Sequence, residues 1–346
     1  MMTYRDLTSL ESGALFRARD GALYCGTAPF RALETAPAGE PAFYTNTYGL
    51  EDPCPWKVPA RLERVSEEGE LPPAPEIAWE PPPQAAFAEV FREIKAMLAS
   101  KRLKKTVPAM AEQGRLVRRT DARLLAVRAC LDLPGARTYA FWSADEGFAG
   151  LSPEALFTLQ GRRLETMALA GTAARGESGR LTADRKELTE HRIVVDAVRE
   201  RLASCGRFVQ GRRRVRTVGA LAHLYTPISL EADEEHPPEF WLKRLHPTPA
   251  LGPYPRTPET LKTLAQWRRR LHCPDTFGAP FGLLREGSLE MFTVLRGVSW
   301  KGQLVSLTSG GGIVAASDAG REWAEFSLKR RSIAQTLGLL PASSYN

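Results

Sequence analysis

The sequence predicts an α+β fold in which large mixed or antiparallel sheets are flanked by helices. Two observations carry that prediction. Runs rich in β-branched and aromatic residues, at 138–142, 215–218, 292–295 and 304–307, are separated by stretches with helical periodicity. No internal repeat and no regular strand–helix alternation runs along the chain, which disfavours a doubly wound parallel sheet. With 346 residues the chain can bury a large core, as one big domain or as two closely packed halves.

Taken in order, residues 1–70 mix short apolar runs (Ala14-Leu15-Phe16, Ala42-Phe43-Tyr44) with glycine and proline, and read as short strands and turns. The stretch from Leu71-Pro72-Pro73 to Pro81-Pro82-Pro83 is a stiff, extended connector. It divides an N-terminal β-rich portion, 1–80, from a main unit, 81–346, on which that portion packs; a surface crossing within one domain fits equally well. Phe87, Val90, Phe91, Ile94 and Leu98 then form one apolar helical stripe. A second helix opens with Asp184 and Glu187, favourable at the positive helix end, buries Leu188, Val195, Val198 and Leu202, and stops near Gly206. A closing helix spans roughly 322–337.

A net charge of +7 raises the question of nucleic acid. The basic residues, however, are scattered beyond Lys101-Arg102-Leu103-Lys104-Lys105 and Arg212-Arg213-Arg214, and no nucleic-acid motif accompanies them. An anionic small molecule accounts for the balance as well. Five widely spaced cysteines without CxxC or Cys/His spacing argue against a disulfide framework or a zinc site. The N-terminus lacks a signal-peptide core and no apolar run is long enough to span a bilayer, so the chain is expected to be cytoplasmic.

The chemistry starts from two glutamate pairs. Glu187 and Glu190 lie three residues apart in Lys186-Glu187-Leu188-Thr189-Glu190-His191, as do Glu322 and Glu325 in Glu322-Trp323-Ala324-Glu325. That spacing projects each pair from one side of a helix. Two such faces together make an oxygen-rich pocket suited to Mg²⁺; taken alone, they read equally as solvated helix faces. Leu169-Ala170-Gly171-Thr172 is a small-residue turn able to bring backbone N–H groups to a carboxylate, and Ser309-Gly310-Gly311-Gly312 is a second close approach. Leu245-His246-Pro247-Thr248-Pro249-Ala250 is a proline-locked loop, and Glu154 follows a Ser-Pro turn.

In this order, from Lys105 to Lys329, these segments resemble the chorismate-utilising enzymes: isochorismate synthase, salicylate synthase and the anthranilate synthase large subunit. The Leu-His-Pro-Thr-Pro-Ala stretch is most similar to that of the isochorismate synthases. The resemblance implies a single α+β unit of large, mostly antiparallel sheets with peripheral helices, the chorismate-binding fold. It also implies roles. Lys105 would deprotonate the attacking water, which requires a depressed pKa, and Glu154 would protonate the departing C4 hydroxyl, which requires a raised one. Glu190 and Glu325 would ligate Mg²⁺, with Glu187 and Glu322 acting through water or orienting the ligands. Gly171 and Thr172 would contact the ring carboxylate. Arg296 would grip the enolpyruvyl carboxylate, with Gly310, Gly311 and Lys329 completing the clamp. His223 would lie beside the ring, or be a structural histidine.

The implied activity is that of a Mg²⁺-dependent isochorismate synthase serving menaquinone, siderophore or salicylate biosynthesis. It would be a monomer acting on chorismate, with no nucleic-acid or membrane partner. Salicylate synthesis with loss of pyruvate, and non-catalytic chorismate binding, are the alternatives. Four positions depart from the family pattern: Met110 where an arginine is usual nearby, Pro253 for glycine, Phe277 for tyrosine and Leu283 for tryptophan. They bear on how substrate is positioned.

Overall fold

A computed structural model describes residues 1–339; residues 340–346, the end of the expected main unit, lie outside the described residues. Seventeen strands join in one hydrogen-bonded sheet system, with Lys105–Thr106 and Ile313–Val314 forming a separate two-stranded sheet. All of these strand pairings are antiparallel, the second of the two arrangements, mixed or antiparallel, that the sequence allows. The helices are α1 (Tyr4–Ser9), α2 (Gln84–Ala99), α3 (Ala122–Arg128), α4 (Arg185–Leu202), α5 (Pro238–Leu245), α6 (Pro258–Arg270) and α7 (Ala319–Leu337). Helix α4 packs on strand Arg163–Ala174 and α7 on strand Leu304–Gly310.

The first eighty residues are hydrogen-bonded into the main sheet system. Strand Gly13–Arg17 pairs with Arg137–Trp142, and Ala42–Thr45 pairs with Pro280–Arg285. Inside the proline-rich connector, Ile77–Trp79 adds a short strand to Ala109–Leu116. Helix α1 was not foreseen; its signal is the Thr3/Asp6 capping box, in which each side chain accepts from the other's backbone N–H.

Other local expectations need correction. Gly171 sits in no turn: it is at a bulge within the twelve-residue strand Arg163–Ala174, where the register slips between Ala170 and Thr172. The run at 292–295 leaves its strand at Thr293, freeing Leu295 and Arg296 to face elsewhere. Helix α4 buries Glu187 and Glu190 along with Val195, Val198 and Leu202, while Leu188 is only half-buried. Helix α7 starts three residues earlier than predicted, because Asp318 accepts from the Arg321 N–H at 3.0 Å and caps it.

One core cluster fixes where α7 lies. Phe326 is fully buried and meets Phe87 of α2 edge-on at 5.3 Å, in a group that includes Val90, Ile94, Met110, Leu264 and Trp267. Because α7 carries Glu322 and Glu325 on adjoining turns, this contact positions two site carboxylates. Phe326→Ala is expected to destabilise the protein by about 3–5 kcal/mol, read from urea unfolding curves.

Candidate active site

Three backbone features build the site. Strand Arg163–Ala174 pairs with Leu221–Ala232 so that Thr172 faces His223 across the bulge at Gly171. Gly171 has φ +78, and a side chain there would press on the Glu187 carboxylate at 3.1 Å. The run Gly310-Gly311-Gly312 then passes between the helices bearing the glutamates. A Cβ on Gly312 would overlap the Glu190 carboxylate and come 2.6 Å from Lys105 Cε; one on Gly311 would come 2.5 Å from the Phe326 ring. After it, Val314 pairs with Lys105, so this small sheet sets the lysine against the carboxylates.

These elements enclose a cleft with about 640 Å³ free of protein atoms, lined by nine of the predicted residues: Glu154, Gly171, Thr172, Glu190, His223, Arg296, Gly310, Gly311 and Lys329. Lys105 is fully buried at its edge: its ammonium donates to the Pro249 carbonyl and lies 3.3 Å from Glu190 Oε1. Burial pulls the Lys105 pKa down, against the pull of Glu190. Glu154 shows the opposite shift. Burial pushes its carboxyl up to about 8, with only Lys105 opposing.

At the other end of the cleft, His223 Nδ1 lies 2.9 Å from the Gly171 carbonyl, so it carries the proton and donates. Its Nε2 accepts from Arg296 Nη2 at 2.6 Å. Burial and the neighbouring Arg296 and Lys329 charges lower the His223 pKa to about 3, so the ring is neutral and orients the guanidinium. Arg296 is a non-glycine residue at φ +54, a strained conformation held by its surroundings. Its carbonyl accepts from the Leu151 N–H at 3.1 Å, and the preceding Leu295 carbonyl accepts from the Tyr139 hydroxyl at 2.7 Å. Lys329 donates to the Gly310 carbonyl at 2.8 Å and pairs with Glu325 at 2.7 Å. The Thr172 N–H is already engaged, donating to Glu187 Oε2 at 2.9 Å.

The four glutamates come together as the two helix faces predict, but around a residue to which the sequence assigned no role. Lys186 Nζ lies 3.0 Å from Glu187, 3.4 Å from Glu190, 3.2 Å from Glu322 and 3.8 Å from Glu325. Its signal was its place four residues before Glu190, the spacing of a helical ion pair. Burial raises the Glu187 carboxyl to about 7; Glu325 is held at about 2, because Lys329 and Lys186 outweigh its burial. Among the described residues no set of three or more histidine, cysteine, aspartate or glutamate side chains is already laid out to hold a metal ion. The donor set nevertheless suits a hard divalent cation: four carboxylates already gather about one positive charge, and Glu322 Oε2 is buried with no hydrogen-bond partner.

Of the four departures from the family pattern, only Phe277 lines the cleft. Met110 and Leu283 are buried in core clusters, and Pro253 is buried outside the cleft lining.

Comparison with known proteins gives concordant results. A family model described as chorismate binding enzyme matches residues 57–338. Isochorismate synthase EntC of Escherichia coli K12 is 29% identical over 272 residues, spanning 75% of this chain and 68% of that protein. A salicylate biosynthesis isochorismate synthase of Pseudomonas aeruginosa is 30% identical over 221 residues, 59% of this chain and 45% of that protein. The solved structure of MenF, the menaquinone-specific isochorismate synthase of Escherichia coli, has a TM-score of 0.78 at 19% identity, covering 96% of this chain and 90% of that one, a likeness of fold.

Gly312→Ala should destabilise the protein by about 1–3 kcal/mol through overpacking against Glu190 and Lys105. Gly310→Ala should cost less, since its nearest neighbour, the Pro108 carbonyl, would lie 3.0 Å from the new Cβ. Parallel thermal denaturation of the two variants checks the ranking.

Proposed function

The chain belongs to the chorismate-binding enzyme family, and on that premise we propose that it is a Mg²⁺-dependent isochorismate synthase. The observation that carries this reading is one cleft holding an acid and, at its edge, an amine whose pKa values are pushed in opposite, useful directions. Glu154 is raised to about 8, so at neutral pH it holds a proton to give. Lys105 is lowered by burial, which favours the neutral amine that can accept one. The names of the relatives, EntC above all, support the same choice of product.

In this reading chorismate lies in the cleft with its enolpyruvyl carboxylate on Arg296 and Lys329. His223, neutral and fixed by the Gly171 carbonyl, aims the guanidinium. The ring carboxylate points toward Thr172 and Glu190. Mg²⁺, held by Glu190 and Glu325 with Glu187 and Glu322 behind them, would supply the positive charge that anchors that carboxylate. Lys105 takes a proton from the water that attacks C2, and Glu154 gives a proton to the C4 hydroxyl as it leaves. Phe277 presents an apolar face to the substrate where the family pattern has a hydroxyl, leaving orientation to the charged groups.

Purified protein incubated with chorismate and Mg²⁺ should yield isochorismate on product chromatography; its absence, with folded protein and added metal, refutes the proposal. Release of pyruvate with salicylate fluorescence would instead identify a salicylate synthase. Binding without turnover would identify a non-catalytic chorismate-binding protein.

The acid role fixes the pH dependence. Glu154 is protonated below its raised pKa, so kcat should hold at neutral pH and fall as pH rises through about 8. Glu154→Gln should lower kcat by about 10²–10⁴-fold and abolish that alkaline limb, read from steady-state rates across pH 6–10.

A further inference from the structure

The Lys186 side chain has no part in the reaction just described, yet among the described residues it is the most heavily paired cation. Its nitrogen lies within 3.8 Å of a carboxylate oxygen of each of the four glutamates. Those glutamates come from two helices, α4 and α7, that share no other ion pair so deeply buried. We propose that Lys186 is a tethered counter-cation: its ammonium holds the four carboxylates together, and a divalent cation must compete with it for the same position. The proposal rests on the cation reading given above.

Charge is the first argument. Lys105 pairs with Glu190, Lys329 with Glu325, and Lys186 with all four carboxylates. The Lys186 ammonium already stands within 3.8 Å of all four carboxylates, so a divalent cation drawn to the same oxygens would meet a like charge at close range in a buried place, which is costly. Withdrawal of the ammonium as the cation enters relieves that repulsion.

Space is the second argument. Lys186, Glu187, Glu322 and Glu325 also line a groove between α4 and α7, with about 700 Å³ free of protein atoms. Glu190 and Gly171 line the substrate cleft and not this groove, so the cluster is reached from two sides. Glu177 and Asp318 also line the groove, the first paired with Arg180 and the second capping α7 through the Arg321 N–H, and Arg321 lines it with them. The groove therefore offers a cation an approach to Lys186 and three of the glutamates that is separate from the substrate cleft.

The test uses Mg²⁺ alone, without chorismate, on the full-length protein. In isothermal titration, Lys186→Met should bind Mg²⁺ at least about tenfold more tightly than wild type, because the internal competitor is gone. In EDTA the variant should melt at a lower temperature than wild type, and added Mg²⁺ should raise its Tm by more. Equal or weaker Mg²⁺ binding in the variant overturns the counter-cation role while leaving the cation site standing. Failure of both proteins to bind Mg²⁺ overturns the cation reading and this inference with it. Should the variant not fold, wild-type crystals grown with and without Mg²⁺ decide. Displacement of Nζ from the carboxylates upholds the inference, and an unmoved Nζ beside bound Mg²⁺ refutes it.

Discussion

Four carboxylates on two helices, drawn into one largely dry place, are the constraint around which this protein is arranged. Removing an ionised carboxylate from water costs on the order of several kcal/mol, so such a cluster stands only where positive charge is supplied within a few ångströms. The supply here is local and layered. Lys186 reaches all four carboxylates from inside α4, Lys329 reaches Glu325 from the next turn of α7, and Lys105 reaches Glu190 from a strand far away in sequence. The core beneath α7, with Phe326 against Phe87, holds the second helix where its charges are needed.

The same low-dielectric setting sorts the remaining groups by sign. An isolated carboxyl, Glu154, is driven toward its neutral acid, while a buried amine, Lys105, is driven toward its neutral base. Neither shift needs a dedicated partner; each follows from burial, against the opposing pull of the other group. His223 is held neutral by burial and by the cations beside it, which frees its Nε2 to accept from Arg296. Burial, with the charges and hydrogen bonds beside it, therefore produces a proton-holding carboxyl, a weakened ammonium and an aimed guanidinium along one cleft.

How much of this was legible depends on the range of the interaction. The glutamate pairs were readable because helical spacing is local, and the mixed or antiparallel architecture because strand-like runs recur without regular strand–helix alternation. The resemblance carried by the motifs from Lys105 to Lys329 named the other residues, though not how they meet. Lys105 reaches Glu190 only through its pairing with Val314, a contact two hundred residues long that no local period encodes. Lys186 was visible at helical spacing from Glu190 but reads as an ordinary surface pair until α7 closes over it. Gly171 reads as a turn because glycine usually marks one; the structure uses its freedom for a strand bulge that brings Thr172 opposite His223.

Arg296 shows why such a site resists local reading. The β-branched and aromatic run at 292–295 predicts a strand, and the strand indeed forms, but it stops at Thr293. Three residues later the backbone turns left-handed, which an arginine adopts only when the surroundings impose it. Gly150 and Gly297 make that possible: a side chain on Gly150 would come within 2.5 Å of the Gly297 Cα, so two strands close together immediately beside the kink. The Tyr139 hydroxyl and the Leu151 N–H then fix the carbonyls on either side. A residue continuing in extended conformation would send its side chain to alternating faces of the sheet. The kink instead directs the guanidinium to His223 and the cleft, so backbone strain at one residue is what places a positive charge in the cleft wall.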